Sequence, residues 1–149
     1  MSTDSAALRA QALKLLARRE HSARELARKL AARGYAADEV AETLAALAAK
    51  SLLSDERFCE SYVHHRITRG YGPLRIRHEL VQRGVDAQLI EQVLDQADVD
   101  WRRHLAEVRA GKFGSRMPAG FAEQARQGRF LQQRGFSTED IRRLFRTRE

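Results

Sequence analysis

Five histidines and one cysteine are the side chains of this 149-residue chain best suited to hold a metal. A metal site needs three or four such ligands to converge. Cys59, His64 and His65 are too irregularly spaced to meet on one helical face, and His21, His78 and His104 stand singly among charged residues. Asp86, Glu91, Asp95 and Asp98 recur at helical spacing, the pattern of a solvated face and not of an acid–base pair. The glycines fall where helices should end, and no phosphate-cradling loop, nucleophile elbow or dinucleotide fingerprint is present. No catalytic residue, metal or cofactor is expected, and the chain does not read as an enzyme.

Basic clusters are the remaining chemistry. Arg18, Arg19, Arg24 and Arg28 form one; Arg66, Arg69, Arg75 and Arg77 surround the break Gly70-Tyr71-Gly72-Pro73; Arg102, Arg103, Arg109, Lys112 and Arg116 form a third. Of the 27 cations 23 are arginine, whose planar fork pairs bidentately with phosphate or carboxylate. The formal charge of +7 is uneven: residues 1 to 50 carry 9 basic and 6 acidic side chains, residues 51 to 100 carry 6 and 9, and residues 101 to 149 carry 12 and 5. An alanine- and arginine-rich sequence also arises from codon bias alone, so the clustering carries more weight than the total. Phosphate is the default ligand of such a surface. Tyr35 and Tyr71 are the only aromatic residues expected at the surface, so base stacking and sequence reading should be minor.

The clusters sit on a repeated frame. Arg33-Gly34-Tyr35, Arg83-Gly84-Val85 and Arg134-Gly135-Phe136 recur 50 and 51 residues apart, glycine to glycine. Each glycine has a leucine four residues before it (Leu30, Leu80, Leu131), Val40, Ile90 or Ile141 six after, and Leu44, Leu94 or Phe145 ten after. A helix stopped by a glycine, followed by a second helix packed back on it, accounts for the frame. The expected fold is all-α, with three tandem three-helix repeats over residues 1–53, 54–97 and 98–149. Units of about 50 residues are marginal alone, so neighbours should share apolar surface in an elongated, curved array.

Nine helices follow from the caps and apolar stripes. The first runs from about Ser5 to Arg19; Ser22 with Glu25 opens the second as a capping box; Leu52-Leu53 closes the first unit; Ser54 caps the fourth. Pro73 suits the first turn of the fifth, Asp86 caps the sixth, and Trp101, Leu105 and Val108 mark the seventh. The eighth should run from about Ala119 to Arg134, and Ser137 with Asp140 opens the ninth. Where the first two units place Leu26 and Ile76, the third has Gln127, then Gly128 within a helix. No stretch approaches the roughly 18 apolar residues of a membrane span, and Met1-Ser2-Thr3-Asp4 lacks the start of a signal peptide, so a cytoplasmic chain is expected. Cys59 has no partner for an internal disulfide and reads as a small core residue.

The stretch from Arg66-Ile67-Thr68-Arg69-Gly70-Tyr71-Gly72-Pro73 through Leu74-Arg75-Ile76-Arg77-His78-Glu79-Leu80 to Arg83-Gly84-Val85 resembles the central signature of the RecX family, regulators of the RecA recombinase. The segment Ala12 to Ser22 with Glu25-Leu26 resembles that family's first repeat, and Arg129-Phe130-Leu131 through Arg134-Gly135-Phe136-Ser137 its third. The resemblance spans roughly residues 8 to 146. It implies three tandem three-helix repeats, contact with the RecA filament on DNA, suppression of strand exchange, ATP hydrolysis and support of repressor cleavage, and binding to single- and double-stranded DNA; a monomer is expected. Two other readings compete. Ser22 to Leu53 alone resembles the helical part of a winged-helix transcription regulator, which would need a β-hairpin wing, and a small RNA-binding helical array has the same composition.

Overall fold

A computed structural model describes residues 3–146. Met1 and Ser2, which entered the reading of localisation, and residues 147–149 of the third repeat lie outside them. The order is α1 (Thr3–Arg18), α2 (Ala23–Ala32), α3 (Ala37–Ala49), α4 (Asp55–Thr68), α5 (Pro73–Gln82), α6 (Ala87–Ala97), α7 (Trp101–Phe113), α8 (Phe121–Arg134) and α9 (Thr138–Arg146). No strand occurs among the described residues, so the winged-helix alternative lacks its wing.

Local chemistry sets the starts. Ser22 Oγ accepts from the Glu25 amide at 3.1 Å, Ser54 from Arg57 at 3.1 Å, Asp86 from Gln88 at 3.0 Å and Ser137 from Asp140 at 3.1 Å. The expected capping box at Ser22 is half made, because the Glu25 carboxylate turns to Arg19, at 3.0 Å from both Nη1 and Nη2. α8 begins two residues later than the apolar pattern suggests: Gly120 has φ 85° and ψ 164°, outside the helical region.

The repeat glycines end α2, α5 and α8 in one way. Gly34, Gly84 and Gly135 have φ of 95°, 84° and 101°. Each amide donates to the carbonyl three residues back, and the next amide donates to the carbonyl five back, as in Val85 to Leu80 at 3.1 Å and Phe136 to Leu131 at 3.1 Å. Ser51 does the same work at the end of α3 with φ 60°, a position where its Cβ is strained. Leu53 just after it is buried, whereas Leu52 is exposed.

The chain forms two compact units, one of α1–α3 with α4 as far as Tyr62 and residues 80–90, the other of residues 63–79 and those from Glu91 onward. In the first, α1, α2 and α3 contact one another around Leu8, Ala12, Leu15, Leu26, Leu30, Val40, Leu44, Leu47 and Leu53. Tyr35 packs partly against this core and is not the free surface ring expected of it. In the second, α7, α8 and α9 meet around Leu105, Leu131, Phe136 and Ile141. Cys59 is buried, and burial, with the nearby Glu60 and Asp55, pushes its thiol up to about 11, so it stays a protonated core residue at neutral pH.

Candidate functional site

The richest cluster of cations lies in the second unit and is built on the end of α4. Gly70, with φ 87°, closes that helix with the same two bonds: Gly70 donates to Ile67 O at 2.9 Å and Tyr71 to Arg66 O at 3.1 Å. In this motif the residue after the glycine normally makes an apolar contact with the start of the last turn. Here those two are Tyr71 and Arg66, and the contact is a guanidinium stacked on a ring, 3.8 Å from Cζ to centroid.

The turn then crosses the end of α8 at backbone distance. Gly72 donates to Arg134 O at 2.7 Å and Leu74 to Gly135 O at 3.0 Å. A Cβ on Gly72 would stand 2.5 Å from Gly135 O, so only glycine permits the approach. Pro73 is the first residue of α5, where its missing N–H is no loss. The crossing brings Arg134 to 4.9 Å and Arg75 to 4.6 Å from the Tyr71 ring. Arg134 donates to Arg69 O at 2.9 Å, Arg75 to Gln133 O at 3.0 Å, and His104 Nε2 to Tyr71 O at 3.1 Å.

Charge in this cluster is only partly balanced. Arg66 grips Glu79 with two bonds of 2.9 and 2.8 Å, and Arg75 reaches the same carboxylate at 3.1 Å. One carboxylate, Glu79, thus meets two guanidinium groups, Arg66 and Arg75, while Arg134 adds a third over the Tyr71 ring and Arg69 lies two residues before that ring in the chain. The Arg66 side chain is 19% exposed and fixed in place, that of Arg75 is 41% exposed, and Arg69 is exposed with no ion-pair partner among the described residues. Arg69 and the outer edge of Arg75 are therefore the guanidinium groups here that stay open to solvent, while Arg66 and Glu79 hold each other. Tyr71 is half-buried beneath guanidinium groups and is unavailable as an open stacking platform.

The other sequence-predicted cations divide by what holds them. Arg77 is tied to Glu91 by bonds of 2.7 and 3.0 Å, Arg19 to Glu25, and Arg103 loosely to Glu107 at 3.7 Å. Lys112 is exposed and lies 5.3 Å from the Phe130 ring. Arg102 and Arg116 in the second unit, and Arg18, Arg24 and Arg28 in the first, are exposed and without an ion-pair partner among the described residues. Arg24 and Arg28 lie one turn apart on α2, and the Arg24 stem covers Gly84.

Arg109 leaves the surface altogether. It is 3% exposed and donates to Gly114 O at 2.7 Å and Gln127 Oε1 at 3.2 Å, so it is an interior residue of the last repeat and not a ligand-binding one. Arg134 was legible in the sequence only as a member of the repeated Arg-Gly pair; that pair recurs as Arg83, which lies 4.8 Å from the Tyr62 ring in the first unit.

A tandem of three-helix units with unpaired arginines on each compact unit defines an all-α protein of the helical-repeat class. Three family profiles match in chain order: RecX, first three-helix domain, at residues 9–47; RecX, second three-helix domain, at 54–94; and RecX, third three-helix domain, at 102–145. The regulatory protein RecX of Halorhodospira halophila is 49% identical over 93% of this chain and 86% of its own. That of Pseudomonas entomophila is 49% identical over 96% and 92%. The chain belongs to the RecX family of regulatory proteins. Its fold is that of the crystal structure of RecX from Lactobacillus salivarius, with a TM-score of 0.77 over 98% of this chain and 97% of the other at 24% identity.

Proposed function

We propose that the chain binds RecA filaments on DNA and mainly inhibits them, lowering strand exchange, ATP hydrolysis and support of repressor cleavage. Family membership gives the regulatory role, and the observation that supports a filament on DNA as target is the excess of three arginines, Arg66, Arg75 and Arg134, over one carboxylate around Tyr71, with the exposed, unpaired Arg69 close by in the chain. Contact is electrostatic in part and noncatalytic. The chain acts as a cytoplasmic monomer through the repeats 1–53, 54–97 and 98–149. It also binds single- and double-stranded DNA weakly and without sequence preference, since guanidinium groups read phosphate and those around Tyr71 cover its ring against base stacking.

The deciding measurement is RecA ATP hydrolysis on single-stranded DNA with rising amounts of the chain, beside binding of the chain to bare strand and to filament. Inhibition with tighter binding to filament is expected. Equal binding to both, without inhibition, would leave only a DNA-binding protein. With about four phosphates engaged, log affinity for single strands falls with log salt at a slope of about −3.

A further inference from the structure

Phe121, at the first position of α8, is 86% exposed, while later residues of the same helix bury Leu131 in the core of the second unit. With Ala125, Gly128 and Gln132 it forms one stripe of α8, and this stripe faces Thr138, Ile141, Arg142 and Phe145 of α9 across a groove of about 250 Å³. Gly128 keeps the groove open: a Cβ there would lie 3.6 Å from Ile141 Cγ2, and anything longer would enter the space.

The lining has a definite chemistry. Its floor is apolar, its rim carries Arg129 and Arg142, and no carboxylate of the described residues borders it. Neither arginine has an ion-pair partner among the described residues, although ion pairs such as Arg126 to Glu123 at 2.7 Å and Arg143 to Glu139 at 3.1 Å form on the same two helices. The volume admits one large apolar side chain, and two unpaired guanidinium groups complement acidic residues on either side of it. A nucleobase fits less well, because Gln132 and Thr138 in the lining are bonded to each other at 2.7 Å, and Gln124 beside an alanine, glycine, isoleucine and phenylalanine floor would leave most of the base's polar edge unpaired.

We infer that the α8–α9 groove docks an acidic segment of a partner protein, which seats one apolar side chain against Phe121, Ile141 and Phe145 between Arg129 and Arg142. The inference rests on the reading of the chain as a regulator that binds a protein partner, and adds the chemistry of one contact.

The test is a titration of the full, ¹⁵N-labelled chain followed by amide chemical shifts. Four probes are compared: a short peptide of glutamate and aspartate around a central leucine, the same peptide with alanine at the centre, a lysine-rich peptide with the leucine, and an oligothymidylate. The acidic leucine peptide should shift the amides of Ala125, Gly128, Ile141 and Arg142 saturably, with Kd of about 1 mM or tighter, and the alanine peptide should bind about tenfold more weakly. Gly128→Leu should abolish the shifts by filling the groove, and the exposed pair Arg129→Gln with Arg142→Gln should weaken binding while the melt stays unchanged. Absence of saturable shifts at those amides, shifts spread evenly over the cationic surface, or stronger perturbation of the same amides by oligothymidylate would each overturn the inference. A chain that binds the peptide but leaves RecA uninhibited refutes the proposed function and upholds the groove; inhibition without peptide binding does the reverse.

Discussion

Arg109 on α7 and Gln127 on α8 meet at 3.2 Å in the interior of the last repeat, each less than 5% exposed. Gln127 occupies the place that Leu26 and Ile76 hold in the first two repeats, and its own Nε2 donates at 2.9 Å to Glu123, which Arg126 grips from the other side. The side-chain hydrogen bonds, led by Arg126, hold the Glu123 carboxyl well below the usual carboxylate range. The third repeat therefore replaces a leucine with a satisfied polar chain, and no buried side-chain nitrogen or oxygen among the described residues lacks a partner.

Breaking that chain from one end is the expected way to damage it. Gln127→Leu should cost about 1–3 kcal/mol by removing an acceptor from a buried guanidinium. Arg109→Met should cost a similar amount, and the double variant less than the sum, because each single change strands the other's partner. Urea denaturation of the four proteins measures the coupling. Simple additivity would mean that the two side chains are independent.

The glycines should rank by what lies behind them. Gly135→Ala should destabilise most, since its Cβ would stand 2.6 Å from the Arg75 backbone nitrogen; Gly84→Ala should follow closely, because Arg24 Cδ at 2.3 Å can swing away but Arg24 Cβ at 2.6 Å cannot; Gly34→Ala should cost only the strain of positive φ, about 1–2 kcal/mol. Ser51→Gly and Gly128→Ala should each raise the melting temperature, the first by relieving φ 60°, the second by about 0.5–1 kcal/mol of helix propensity with only an ordinary contact to Ile141. Thermal melts of the five variants decide the ranking.

What could be read from the chain was what is decided locally. Ser22, Ser54, Asp86 and Ser137 cap their helices because the bonded amide lies two or three residues away, and Gly34, Gly84 and Gly135 stop theirs through bonds within five residues. The state of each arginine was not legible, because its partner is chosen by folding: Arg66 and Arg77 find carboxylates 13 and 14 residues away, and Arg134 finds a carbonyl 65 residues away. Arg109 was misplaced for a related reason. An arginine within a basic cluster on a helix reads as exposed, and the clue is the polar Gln127 in an apolar column, which requires a buried partner.

Stability and binding should separate at two neighbouring arginines. Arg66→Gln removes two bonds to a half-buried carboxylate and one ring contact, and should lower the melting temperature by several degrees. Arg69→Gln removes an exposed, unpaired side chain and should leave the melt unchanged, yet weaken single-strand affinity and reduce the salt slope by about 0.7. Parallel melts and salt titrations check both. An unchanged slope for Arg69→Gln would place the phosphate contacts on other arginines.

Acid should act on the first unit through His21. The ring is buried, its Nδ1 is 3.0 Å from Arg19 O and its Nε2 is 2.9 Å from Lys29 Nζ. With Lys29 donating to Nε2, Nδ1 carries the proton toward the carbonyl, and the ring is neutral. Burial first, and then the charges of Arg19 and Lys29, outweigh the Arg19 carbonyl and Glu25 and hold its pKa below the ordinary 6.5. Below about pH 6.5 the unfolded chain takes up a proton at this residue that the folded chain refuses, so stability is full above that pH and falls as the solution is acidified. The loss can reach about 1.4 kcal/mol per pH unit for one proton. His21→Gln keeps a donor and an acceptor but does not titrate, so between pH 7.5 and 5 its unfolding free energy should fall less steeply than that of the natural chain. Parallel curves for the two proteins would show that His21 protonates equally in the folded and unfolded states.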